Sequence, residues 1–269
     1  MKVILGLLLL IFNLGYANNY PQRIISLSTT VTEELYILGV QDRLVGCTVY
    51  CNRPKEAEKK EKVGTVMKAD LERVISLKPD VVIASGLSDP KQMEKLKSLK
   101  INVAYFSAPL SFSQLSDDFI RLGSLVGEEK KAKGIVSKAK KRVEKIKKKT
   151  NSLPKPKVFM QIGTEPLWTV PGDTLQNDFI EFSGGINIAR EVKTGQYSLE
   201  EVLKENPDVI IIIEMGTLGD EEKKNWQRFS TLNAVKKNKL YIMDAYSLCS
   251  PTPLSFPETL KEMAKILHE

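Results

Sequence analysis

The side chains of this 269-residue chain that could do chemistry sit in loop-like stretches rich in Gly, Pro, Ser and Asp. They are Tyr50 and Arg53 in YCNRP, Met67 in GTVMKAD, Trp168 in EPLWTVPGD, Tyr197 in TGQYS, and Asp244 with Tyr246 in MDAYS. Aromatic walls with few charges suit a bulky, largely uncharged ligand. Arg53 is the one guanidinium in these loops, and a multiply anionic ligand such as a ferric catecholate would demand more. Glu72 and Glu200 form a second set, each following a leucine in a Leu-Glu-x-Val segment. As plain helix-dipole compensation each is worth under about 1 kcal/mol. Cys47, Cys51 and Cys249 are odd in number, so parity in an oxidising compartment implies one disulfide and one free thiol. The pair stays open: a Cys51–Cys249 bridge would lock two cleft loops together, and the alternatives are Cys47–Cys51 or three reduced thiols.

Catalysis finds little material. The single histidine, His268, lies beside the C-terminus, which excludes a Ser–His or Cys–His pair and an imidazole-built zinc or manganese site. No G-x-S-x-G, P-loop or G-x-G-x-x-G occurs. Asp117-Asp118 reads as a solvated helix face. No catalytic residue, resident metal or cofactor is expected, and the chain reads as a binder.

The elements that must position these loops follow from periodicity. In Glu128–Thr150 the residues Ala132, Ile135, Val136, Ala139, Val143 and Ile146 recur at steps of three and four, one apolar stripe on a helix. At about 1.5 Å per residue such a rod spans roughly 35 Å, enough to cross a domain. The chain on either side repeats itself. Leu71-Glu72-Arg73-Val74 leads to Pro79-Asp80 and a β-branched run, and Leu199-Glu200-Glu201-Val202 leads to Pro207-Asp208 and another, 128 positions on. Arg23–Leu27 corresponds to Lys157–Gln161, and Ile101–Phe106 to Leu240–Asp244. Short apolar strands alternating with helices predict a parallel sheet covered on both faces in each lobe, four strands per lobe. The fold class is therefore α/β: a first lobe over 18–127, a bridging helix over 128–150, and a second lobe over 151–269. Ligands of open parallel sheets bind beyond the carboxyl ends of the strands, which points to a cleft between the lobes.

Met1–Ala17 has one lysine, an apolar run from Val3 to Leu14, and small residues Gly15 and Ala17, the pattern of a signal peptide. With no cysteine at the cleavage point, the mature protein is expected from about Asn18, soluble outside the cytoplasm and without a lipid anchor. The net charge of +7 resolves into +8 on Glu128–Thr150 and a nearly neutral remainder. That is the solvated back of a long helix; without interleaved aromatics it gives no support for nucleic acid.

Several stretches carry a resemblance. RIISLSTTVTEELYILGVQDRLVG, TVYCNRP and VGTVMKADLERVISLKPDVVI, with EPLWTVPGDTLQNDFIEFSGGINIA and YSLEEVLKENPDVIII, resemble the substrate-binding proteins of cobalamin and iron–siderophore ABC importers. The resemblance covers nearly the whole mature chain. It implies two Rossmann-like lobes on one long helix, little hinge motion, a monomer, a periplasmic location and a permease dimer as partner. It also implies corrinoid contacts at the positions of Tyr50, Trp168 and Asp244, and docking of Glu72 and Glu200 on permease arginines. Tryptophans found in the cobalamin-binding member near Val66 and Ser85, and an arginine near Leu248, are absent. Cobalamin leads as ligand, a ferric hydroxamate-type siderophore follows, and haem held by Tyr50 or Tyr246 is third.

Overall fold

The computed structural model describes residues 20–214, 216 and 219–269. The expected signal peptide and the mature start at Asn18 lie outside the described residues. In the first lobe β1 (Ile24–Ser26) passes directly into α1 (Thr29–Leu38), whose cap Ser28 accepts the Val31 N–H. β2 (Leu44–Cys47), α2 (Leu71–Ser76), β3 (Val81–Ala84), α3 (Pro90–Ser98) and β4 (Asn102–Tyr105) complete it. The strands form a parallel sheet in the order β2-β1-β3-β4. Two antiparallel helices follow, α4 (Phe112–Val126) and α5 (Glu129–Thr150).

The second lobe contains β5 (Lys157–Gly163), β6 (Trp168–Thr169), α6 (Leu175–Phe182), β7 (Ile186–Asn187), α7 (Leu199–Glu205) and β8 (Val209–Glu214). It ends with α8 (Gly219–Gln227), α9 (Asn233–Lys236), β9 (Leu240–Asp244), α10 (Ala245–Cys249) and α11 (Phe256–His268). Its sheet has five strands, in the order β6-β5-β8-β9 with β7 also on β5, and β6 runs antiparallel. The expectation of four strands holds for the first lobe and not for the second. β6 and β7 are two residues each, too short to show an alternating pattern.

The repeat in the sequence is a repeat in topology. In each lobe the strand after Pro-Asp returns beside the lobe's first strand, β3 on β1 and β8 on β5, and the next strand adds to its far edge. The aspartate has a structural task. Asp80 Oδ2 accepts the N–H groups of Gln22 and Arg23 at 2.7 and 2.8 Å. Asp208 Oδ2 accepts that of Lys157 at 3.1 Å. Each carboxylate thus satisfies donors where the central strand begins, outside the ladder.

α5 serves both cores: Ala132 and Val136 pack in the first lobe, Ala139 and Val143 in the second. α4 also crosses. Phe112 and Leu115 at its start lie in the second lobe's core, with the Phe112 ring 4.5 Å from that of Phe256 and its N–H on Asp178 Oδ2 at 2.7 Å. An apolar seam backed by a part-buried hydrogen bond therefore joins the lobes. Gly127 makes the turn between α4 and α5 at φ 79°, where a side chain would be strained and would strike the Tyr20 ring. The basic face of α5 is exposed and partly neutralised by Glu129 on Lys133, Glu144 on Lys147 and Glu258 on Arg142.

Candidate functional site

Parallel strands deliver their following loops to one edge of a sheet, and in both lobes that edge faces the cleft. The loop after β1 is short, so Ser28, Thr29 and Thr30 open α1 directly at the cleft. The loops after β3 and β4 bring Ser85-Gly86-Leu87 and Phe106–Pro109 alongside, and α10 of the second lobe closes the far side with Cys249, Ser250 and Pro251. These residues, with Val66, Glu34, Leu115 and Asp118, enclose a cavity of about 530 Å³. Two other concavities, of about 560 Å³ between α5 and α11 and about 760 Å³ beside Arg23 and Asp80, lie away from the strands' carboxyl ends.

The expected residues divide. Arg53 reaches from the first lobe to the second: its guanidinium is 3.6 Å from Asp244 Oδ2 and lies over the Tyr246 ring at 3.8 Å. Asp244 caps α10, accepting both the backbone N–H and the hydroxyl of Ser247 at 2.9 Å. Burial alone would raise its pKa, but the Ser247 and Tyr246 hydrogen bonds and the Arg53 charge outweigh it and hold the carboxyl below its usual range. The Tyr246 hydroxyl and Glu33 Oε2 are both buried without a formed hydrogen bond, yet close enough to perturb one another. Burial, then the Glu33 carboxylate, push the Tyr246 phenol well up.

Tyr50 and Met67 are 59 % and 65 % exposed and Trp168 is 38 % exposed. With Leu87, Leu110 and Leu254 they form exposed apolar side chains in segments that follow strand ends. Of these, Leu87 lines the cavity itself. Tyr197 lies elsewhere. Its ring is tilted against Phe159 at 5.7 Å, its hydroxyl donates to the Ile188 carbonyl, and it packs on the core behind the sheet.

Glu34 and Asp118 belong to the cavity although the sequence did not single them out as ligand contacts. Asp117 is exposed, as expected for a solvated face, but Asp118 turns inward and is paired with Arg121 at 2.9 Å. Glu34 is 4 % exposed. Burial first, then Asp118 and Glu33, raise its pKa well above the usual carboxyl range. Arg121, which lies over the Phe106 ring at 3.7 Å, is a second guanidinium near the cleft, also already matched to an acid.

The chain matches the family model described as periplasmic binding protein over residues 24–247. It belongs to the periplasmic binding protein family. It is 33 % identical over 215 residues to a vitamin B12-binding protein of Photorhabdus laumondii, covering 77 % of this chain and 78 % of that one. It is 34 % identical over 258 residues to an uncharacterized ABC transporter substrate-binding lipoprotein of Bacillus subtilis, with 92 % and 80 % covered. Among solved structures, a possible iron-binding periplasmic solute-binding protein of Staphylococcus epidermidis superposes with a TM-score of 0.81 at 32 % identity, covering 93 % and 99 %.

This periplasmic binding protein carries its three thiols free, in place of the disulfide expected from parity. Cys51 is buried in the first lobe, its sulfur 3.2 Å from both the Thr32 and Thr48 hydroxyls, while Cys249 lines the cleft. Cys47 receives Lys62 Nζ at 3.4 Å. Interaction with Cys47, then with the two threonines, overrides burial and lowers the Cys51 thiol to about 6, and Cys47 is raised in turn. His268 bonds the Ser183 carbonyl at 2.8 Å in the second lobe, outside the cavity lining. Glu72 and Glu200 are exposed in the first turns of α2 and α7. Among the described residues, no helix is long and apolar enough to cross a membrane.

Proposed function

We propose that this chain is the extracytoplasmic, monomeric binding component of an ABC importer, and that it captures cobalamin or a similar corrinoid in the interlobe cleft without transforming it. The observation that carries the reading is the character of the cleft. The cavity lining is hydroxyl-rich and apolar, with Ser28, Thr29, Thr30, Ser85 and Ser107 beside Val66, Leu87 and Phe106, and Arg53 and Arg121 are both already matched to acids. Such a surface suits a large, weakly charged macrocycle, and among the described residues the cavity lining holds no Lys or Arg for a polyanion. The Photorhabdus relative, named for vitamin B12, supports the same choice. Tyr50, Arg53, Met67, Trp168, Asp244 and Tyr246 are assigned to ligand contact. Tyr197 is assigned to support of the β6 segment through its backbone N–H on the Leu167 carbonyl. Glu72 and Glu200 are assigned to permease docking.

A ferric hydroxamate siderophore is the second reading, supported by the similarity to the Staphylococcus protein described as possibly iron-binding. Haem held by Tyr50 or Tyr246 is the third reading; to ligate iron the Tyr246 phenol, raised by burial and by Glu33, would have to give up its proton to the metal. Calorimetric titration with cyanocobalamin, followed by a visible spectrum of the dialysed complex, tests the assignment. One-to-one, sub-micromolar binding with retained colour is the expected result. No heat and no colour would overturn the corrinoid assignment and send the same titration to ferric hydroxamates.

A further inference from the structure

The buried acid at the cavity wall does nothing for the fold that the structure reveals. Glu34 lies on the inward face of α1, nine-tenths buried, and lines the cavity beside Thr30, Ser107 and Asp118. No hydrogen bond or cation among the described residues offsets its burial, and its charged neighbours Asp118 and Glu33 are both acids. Arg121, the partner of Asp118, is bound to that carboxylate and to the Tyr105 carbonyl, each at 2.9 Å. Arg53 is engaged by Asp244 and the Tyr246 ring. Burying an unpaired carboxylate is expensive, so burial and the two acidic neighbours favour the protonated form, in which the side chain faces the cavity as a carboxylic acid.

A carboxylic acid shows one O–H donor and one carbonyl acceptor side by side. Its complement is a group with the same pair reversed, which is a primary carboxamide: N–H onto the acid carbonyl, amide oxygen from the acid hydroxyl. A ligand carboxylate fits badly, since it brings acceptors and a negative charge toward Asp118. The corrin macrocycle is rimmed with primary carboxamides, whereas haem ends in propionates. We propose that Glu34, backed by Asp118, is a carboxamide-recognising subsite through which the cleft prefers amide-rimmed ligands to carboxylate-rimmed ones. This rests on the corrinoid reading and adds a specificity-determining residue to it.

The test compares cyanocobalamin with its individual side-chain monocarboxylic acids, each differing from the parent by one amide hydrolysed to an acid. Titrated at neutral pH, the wild-type protein should bind at least one of these acids at least tenfold more weakly than the parent. In Glu34→Ala that preference should shrink to about twofold. Glu34→Gln, which keeps the shape and supplies an NH₂ donor to a carboxylate, should bind the parent nearly as well and also lose most of the preference. It serves if the alanine variant does not fold. Equal binding of every acid and the parent by wild type, or an undiminished preference in the variants, would overturn the subsite while leaving cyanocobalamin binding intact. If cyanocobalamin does not bind at all, the corrinoid reading fails and takes the subsite with it.

Discussion

Glu34 and Asp244 are carboxyl groups on opposite walls of the cleft whose surroundings pull them in opposite directions. Burial and two acidic neighbours raise Glu34, while Ser247, Tyr246 and Arg53 lower Asp244. The linkage signs differ accordingly. Asp244 adds stability that is present above its unfolded pKa of about 3.9 and is lost as the pH falls through its lower folded value. Glu34 does the reverse: its folded state is favoured below about pH 4.3, and that advantage is lost as the pH rises toward its raised folded value. Glu34→Gln removes the second dependence only. Urea unfolding should therefore show the variant gaining on wild type at pH 7, with the gain fading at pH 4; an equal difference at both would mean that Glu34 ionises freely. Arg53 makes a different prediction. Its ion pair and its stack on Tyr246 are both part-exposed, so Arg53→Ala should change folding stability by under about 1 kcal/mol. Ligand affinity should fall roughly tenfold, since the same group joins the two walls of the site. Thermal melts beside ligand titration separate the two effects.

At the scale of elements, two glycines near the α4–α5 hairpin have opposite reasons to exist. A Cβ on Gly123 would come within 2.5 Å of the Ala132 Cβ, so the glycine sets how closely α4 and α5 approach. Gly134, on α5, has nothing within 4 Å of that position. Gly123→Ala should cost about 1–3 kcal/mol by overpacking, whereas Gly134→Ala should add about 0.5–1 kcal/mol by helix propensity, both measurable by denaturant unfolding. The long helix, the β-branched strands and the Leu-Glu-x-Val…Pro-Asp repeat were legible because each rests on a periodicity or a capping residue that is local in sequence. β6 and β7 were not, because two-residue strands are held by backbone pairing to β5 and leave no side-chain pattern. The exposure of Tyr50 and Trp168 was legible from loop position alone, but Tyr197 was not separable from them: only the fold turns that ring onto Phe159. Glu34 and Asp118 were hidden for a related reason. Each sits in a pair of adjacent acids on a helix, and the second member of each pair faces the cavity through packing of distant segments.

For the molecule as a whole, the internal repeat matters most where it leaves charge unused. Asp70 caps α2 by accepting the Arg73 N–H, and Ser198 with Glu201 forms a capping box on α7. Helix initiation is thus already provided for in both lobes, and Glu72 and Glu200 remain exposed, with no ion pair among the described residues. The two acids occupy equivalent places in lobes joined by the apolar seam of α4, α5 and α11. A pair of equivalent acids, one per lobe, suits a partner that presents two equivalent basic sites, as a two-fold permease does. Charge at such a rim acts on encounter and register more than on the ligand cavity. Glu72→Lys with Glu200→Lys should therefore abolish uptake in cells supplied with the cognate permease, each single change should reduce it partly, and calorimetric ligand affinity should stay within about twofold of wild type. Unimpaired uptake by the double variant would remove the docking role. A parallel loss of ligand affinity would place these acids in the binding site instead, and with them the part of α2 and α7 that faces the partner.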